Sequence, residues 1–183
     1  MTIQSAKDRL DKLIKKGRKI AYPQLMPHLI KARLATYAPL VGAGIRVEVM
    51  DLDNSLCVVS MPLTKLNQNI VGTQFGGSLF MMTDPFFMMM LMARLGKDYV
   101  VWDKKSTIDF IKAADSKVTA RMKIDTEEIN NIIALAKSGE PVFRDYQVDI
   151  TDEHGKIIAK VDKTLYIRLR SHSKSHAQTA RFE

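Results

Sequence analysis

Apolar positions recur along this chain in two rhythms, and the points where the rhythm changes divide it into elements. Ile3, Leu10, Leu13 and Ile14 fall at helical spacing, so an amphipathic helix is expected over 3–16, ending near Gly17. A second helix, about 24–38, carries Leu25, Leu29, Ile30 and Leu34, and Pro39 discourages its continuation. The period then drops to two. Ile45, Val47 and Val49 alternate with polar partners, Asp53-Asn54 makes a turn, and Leu56 to Met61 returns as a strand closed by Pro62. Further on, Tyr99–Ile111 alternates in part, with Val100, Trp102, Ile108 and Phe110 expected on one face. Lys117–Ile124 places Val118, Ala120, Met122 and Ile124 on one side. Val142–Thr151 and Ile157–Leu169 form a second hairpin around Asp152-Glu153-His154-Gly155. Asp125-Thr126-Glu127-Glu128 opens a short helix with Ile129, Ile132, Ile133 and Ala136 inward, and Ser138-Gly139 closes it with a left-handed cap.

Between the two groups of strands lies Gly76–Leu95, apolar nearly all round. Hairpin-linked strands with segregated helices argue for an α+β domain whose antiparallel sheet wraps this segment as a buried central helix. Its length approaches the roughly 20 residues of a membrane span. Asp84-Pro85 at its middle, the lack of a closely flanking Trp or Tyr, and the core that the strands would then lack all argue against a span.

A length of 183 residues suits one domain, read as N-terminal helices over 1–39 packing on a main domain over 40–170, with a disordered polar tail at 171–183. One cysteine, Cys57, cannot form an internal disulfide, and no charged start followed by an apolar run opens the chain. A reducing, cytoplasmic setting is the expectation. The net charge of +8 favours anionic partners. Acidic residues are interspersed among most of the basic ones, and no compact basic run with interleaved aromatics exists, so nucleic acid is not expected as a partner. His154 sits in a turn and His172 and His176 in the tail. With no paired His, Cys and carboxylate spacing, neither a metal nor a cofactor is expected.

The richest constellation is Asn69-Ile70-Val71-Gly72-Thr73-Gln74-Phe75-Gly76-Gly77, leading to Asp84. Glycines at a helix start let a ligand or another chain approach the backbone. The first amides there lack internal acceptors and carry the positive end of the helix dipole, so they suit a phosphate or a developing oxyanion. In a continuous helix Asp84 lies ~12 Å beyond Gly76, too far to serve the same atom as the Gly77 amide of its own chain. A two-fold dimer with antiparallel helices brings Asp84 of one chain toward Gly77 of the other.

Asn69-x-x-Gly72-x-x-Phe75-Gly76-Gly77, followed by Asp84, resembles the helix-start motif of hotdog-fold acyl-CoA thioesterases of the phenylacetic-acid-pathway type. That motif reads Asn-x-x-Gly-x-x-His-Gly-Gly, with an acidic residue at the same distance. Ile108-Asp109-Phe110-Ile111-Lys112-Ala113 is similar to the family's strand ending, usually Asn-Phe-Leu-Arg-Pro. Met82-Thr83-Asp84-Pro85 is similar to a branch labelled tetrameric acyl-CoA thioesterase. The resemblance implies a hotdog over about 40–170, a homodimer or dimer of dimers, and an acyl-CoA substrate. It matches Asp84 to the carboxylate that activates water or attacks the thioester carbonyl, Gly77 to the glycine whose amide polarises that carbonyl, and Asn69 to the residue that shapes the loop. Lys112 takes the basic position near the CoA phosphates, and Gly72, Phe75, Gly76 and Phe110 fall among the substrate-binding positions. Two departures stand out: Phe75 replaces the His, and Asp109 and Ala113 replace Asn and Pro.

Each residue also has a plainer reading. Asp84 before Pro85 suits a helix N-cap with proline at the first helical position. Gly76-Gly77 suits close packing, Asn69 and Thr73 suit a loop and a cap, and the methionines and phenylalanines of Phe86–Met92 suit a core or a pliable acyl pocket. The missing His favours a non-catalytic acyl-CoA or lipid-binding module; the retained Asp84 favours a hydrolase.

Overall fold

The computed structural model describes residues 26–173. The helix expected over 3–16 therefore lies outside the described residues, as do positions 174–183 of the expected tail. Two short helices come first, α1 (Met26–Leu34) and α2 (Ala38–Ala43), where the pattern suggests one over 24–38. Pro39 accounts for the division: it sits in the first turn of α2, where its missing N–H costs no helical hydrogen bond. Gly44 ends α2 with a φ of +74°, and a Cβ there would stand 2.8 Å from the Asn67 amide nitrogen. That buried asparagine ties α2 to the following loop, donating to Ala43 O at 3.0 Å and to Pro62 O at 2.8 Å.

The strands are β1 (Arg46–Asp51), β2 (Leu56–Met61), β3 (Tyr99–Phe110), β4 (Val118–Lys123), β5 (Val142–Asp152) and β6 (Ile157–Leu169). They form one antiparallel sheet in the order β1-β2-β4-β5-β6-β3, leaving β1 and β3 as edges. The side expected of Val118, Ala120, Met122 and Ile124 is buried throughout. Helix α5 (Thr126–Ala136) buries Ile129, Ile132 and Ala136. Arg144 on β5 grips Glu128 of that helix with two bonds of 2.6 Å, so α5 is fastened to the sheet by a bidentate ion pair.

Two expected faces are corrected by β-bulges. In β3 the register shifts between Asp103 and Lys105, so two residues oppose one on β6 and the pleat changes phase. Val101 and Asp103 share a face with Ile108 and Phe110, because their register partners Ile167, Leu165, Val161 and Ala159 all lie on one side of β6. Trp102 points to the other side and is exposed, not aligned with Ile108 and Phe110. In β1 a shift between Val47 and Val49 turns Val49 outward and Met50 into the core.

The segment Gly76–Leu95 is helical along most of its length and half buried inside the molecule, as a core helix wrapped by a sheet should be. It is interrupted, however. Helix α3 (Gly76–Met81) closes with Thr83 Oγ1 donating to Phe80 O at 2.9 Å and the Asp84 amide donating to Met81 O at 3.0 Å. The Asp84–Pro85 peptide is cis, and helix α4 (Phe86–Leu95) begins beyond it. Phe86, Phe87, Met90 and Leu91 of α4 are buried in the core, Met88 and Met89 are partly buried against it, and Met92 is exposed.

Candidate active site

The loop before α3 is built by one asparagine. Asn69 Oδ1 accepts from the amides of Val71 and Thr73 at 3.1 and 3.0 Å, and its Nδ2 donates to Thr73 Oγ1 at 2.8 Å and Gln74 O at 3.3 Å. Its polar atoms are thus engaged within the loop. Gly72 completes the turn at a φ of +85°, a conformation that favours glycine.

Gln74, to which the motif assigns no role, fixes the loop to the sheet. Its amide donates to Ala114 O at 2.9 Å. Its side chain is buried and donates to Met61 O at 3.1 Å and Ser116 O at 3.0 Å, joining the end of β2 to the segment between β3 and β4.

The paired glycines pack closely. A Cβ on Gly76 would meet the Phe110 ring at 3.0 Å, and one on Gly77 would meet the Phe75 ring at 2.6 Å. Phe110 and Phe75 thus lie against the start of α3, where the Gly76 and Gly77 amides have no acceptor among the described residues. Ile70, Val71, Phe75, Phe110 and Ile111 are all exposed, giving this end of the molecule an apolar surface. Lys112 is exposed at the end of β3, with its amide bonded to Ile158 O at 3.0 Å.

Asp84 does not cap α4. Pro85 occupies the N-cap position, and no side chain caps that helix. The carboxylate instead accepts a 2.8 Å bond from Lys163 Nζ, with 55% of the aspartate side chain still exposed and only 2% of the lysine. Lys163 Nζ also lies 3.5 Å from Asp103 Oδ1. Three chain segments therefore meet here: the break between α3 and α4, the bulge of β3 and the middle of β6. Burial pushes the Asp103 carboxyl above the ordinary carboxylate value. The Lys163 charge opposes that shift and the neighbouring Asp84 adds to it. Tyr146, directly opposite Lys163 on β5 and stacked on Phe87 at 4.8 Å, is likewise raised by burial, so its phenol stays neutral.

Neither Lys163 nor Asp103 was singled out by motif. The signal for Lys163 is its phase, because Ala159, Val161, Leu165 and Ile167 at the same parity of β6 are all buried. A lysine in that series must point inward and find a counter-charge. Asp103 carried no comparable signal, since the bulge beside it hides the phase of β3. Among the described residues no cluster of His, Cys, Asp and Glu is arranged to hold a metal ion. Cys57 is buried against the sheet, with its thiol pushed up to about 12 by desolvation.

Residues 27–167 match the model of a domain family of unknown function, DUF4442. No curated protein sequence matches the chain. Among solved structures it is similar to a Pseudomonas aeruginosa protein of unknown function described as a probable thioesterase. Identity is 21% over 80% of this chain and 95% of that one, with a TM-score of 0.68. A protein of unknown function from Chlorobaculum tepidum matches at 16% identity over 81% of this chain and 97% of its own, with a TM-score of 0.66. The PaaI protein of the phenylacetic acid degradation operon of Escherichia coli matches at 20% identity over 74% and 87%, with a TM-score of 0.54. The shared architecture is the hotdog fold, a six-stranded antiparallel sheet around a central helical segment.

Proposed function

The chain belongs to the DUF4442 family, and we propose that on this hotdog scaffold it hydrolyses acyl-CoA thioesters to the free acid and CoA. The observation that carries the reading is the Asp84 carboxylate, half exposed at a break in the central helix and held at 2.8 Å by a buried lysine. A carboxylate so placed is oriented from behind and open in front. Asp84 serves as general base, taking a proton from the water that attacks the thioester carbonyl and returning it to the departing thiolate, or as the nucleophile itself. The Gly77 amide stabilises the oxyanion. Gly77 lies in the first turn of α3 and Asp84 beyond its last, separated by a helix ~9 Å long. The two groups that meet on one substrate therefore come from different protomers.

Named thioesterases among the similar folds support this reading, and the single buried Cys57 suits a cytoplasmic setting. Thiol release from a panel of acyl-CoAs tests it: release should scale with protein concentration. A specific observation favours a second reading. Phe75 lies on Gly77 where the resembling motif has a hydrogen-bonding His. Tight acyl-CoA binding by calorimetry without any thiol release would establish a non-catalytic binder in place of a hydrolase.

A shared site requires assembly. The open edge of β3 and the exposed Ile70, Val71, Phe75, Phe110 and Ile111 both favour pairing with a second copy. A homodimer at least, and a dimer of dimers at higher order, is expected by light scattering at micromolar concentration. A stable monomer there would defeat the shared-site mechanism.

CoA brings several phosphate charges to a chain of net +8. Lys112→Ala should weaken acyl-CoA binding less than tenfold, in line with the roughly 0–1 kcal/mol of an exposed ion pair. It should weaken a short thioester lacking the nucleotide still less, and the difference should shrink as salt is raised. Equal losses on both substrates would remove Lys112 from the CoA site.

A further inference from the structure

Lys163 occupies a place where stability alone gives no reason for a charge. It projects from the middle of β6 on the helix-facing side, between Ser106 of β3 and Tyr146 of β5, which stand directly opposite it in register. Val161 and Leu165, its neighbours on the same face, are fully buried. Taking an ammonium out of water costs several kcal/mol, and an apolar side chain of similar length serves a core as well or better. The ammonium nonetheless spends its closest contact on Asp84, 79 positions away in the chain and largely in solvent. Asp103 Oδ1, itself buried, lies 3.5 Å from the same ammonium, with the Asp84 carboxylate as its neighbour.

We propose that Lys163 is a positioning residue for Asp84: the buried ammonium, paired also with Asp103, holds the Asp84 carboxylate in one orientation and supplies the counter-charge that it needs once substrate covers the site. The inference rests on the reading that Asp84 acts on the substrate. The titratable and charged groups facing Lys163 are Asp84 from the α3–α4 break, Asp103 from β3 and Tyr146 from β5, with Glu128 of α5 behind the Tyr146 hydroxyl at 3.5 Å. Lys163 is the cation in this group, and it faces both aspartates. Lowering the charge of either aspartate changes what the lysine holds.

The test compares wild type, Asp103→Asn and Lys163→Met/Asp103→Asn. The double variant leaves no unpaired buried charge, so it should fold and melt within a few degrees of wild type. Its kcat on an acyl-CoA should fall about 10–100-fold, the usual cost of a catalytic group displaced by about 1 Å, with KM within about threefold. A folded double variant that turns over at the wild-type rate would overturn the proposal and leave Lys163 and Asp103 as a structural pair. A second measurement needs no activity. In crystal structures, Asp84 should hold one side-chain conformation in Asp103→Asn and spread over several in the double variant. These two proteins differ only at position 163. An Asp84 carboxylate equally ordered in both would overturn the proposal. Should wild type hydrolyse no thioester, the thioesterase reading falls, and the crystallographic comparison alone still decides whether Lys163 holds Asp84.

Discussion

Asp84→Asn is expected to lower kcat for acyl-CoA hydrolysis by at least about a hundredfold, the lower end of what a positioned acid–base group contributes. Asparagine keeps the shape and can accept the Lys163 hydrogen bond through its carbonyl, but it can neither take a proton nor attack. The fold should hardly notice. Asp84 caps no helix, and its backbone bond to Met81 O is made by an amide that the substitution keeps. Lys163 retains Asp103 at 3.5 Å, so no buried cation is stranded. A melting temperature within a few degrees of wild type should therefore accompany the loss of thiol release. Unaltered turnover would remove Asp84 from the mechanism. A large drop in stability with activity lost in proportion would make it a structural residue, partner to a core lysine and nothing more.

Phe87→Ala should produce the largest loss of stability from a single truncation near the site. The ring is 2% exposed and stacks on Tyr146 at 4.8 Å with an interplanar angle of 13°. Phe-to-Ala changes in cores cost about 3–5 kcal/mol, from lost burial and the cavity left behind. At roughly 2–4 °C per kcal/mol for a domain of this size, the melting temperature should fall by about 6–20 °C. Because Phe87 packs α4 against β5 just beyond the Asp84 break, the same change loosens the wall behind Lys163. Thermal and urea unfolding followed by circular dichroism would measure it. A loss below about 1 kcal/mol would mean that α4 is held chiefly by its other buried side chains.

What was legible in the sequence is what is written locally. Alternation at Val118, Ala120, Met122 and Ile124 marks a strand because adjacent side chains of an extended chain point to opposite faces, and all four are buried. The helix carrying Ile129, Ile132 and Ala136 is legible for the same reason at a period of 3.6, as is its glycine stop at Gly139, with a φ of +78°. The motif from Asn69 to Gly77 pointed to a built loop, and Asn69 builds it from contacts within five residues of itself.

Bulges are different. Whether β3 keeps its phase depends on how many of its residues oppose each residue of β6, a strand that arrives more than fifty positions later. No count along Tyr99–Phe110 alone reveals it. The break in the central helix was half legible: Asp84-Pro85 announced that something happens there, and the capping preference of aspartate suggested the wrong partner. Local propensity favours an N-cap, but Pro85 takes the cap position and the carboxylate pairs with a buried lysine at 2.8 Å instead.

The sequence by itself therefore determined the strands, the α+β class and the candidate carboxylate, since periodicity and motif spacing act over a few residues. Only the tertiary structure decided which groups meet that carboxylate. Lys163 and Asp103 reach it through the register of β6 with β3 and the packing of a broken helix on the sheet. Their energetic reason for meeting, the cost of leaving a charge unpaired in the core, exists only once that core has closed around them.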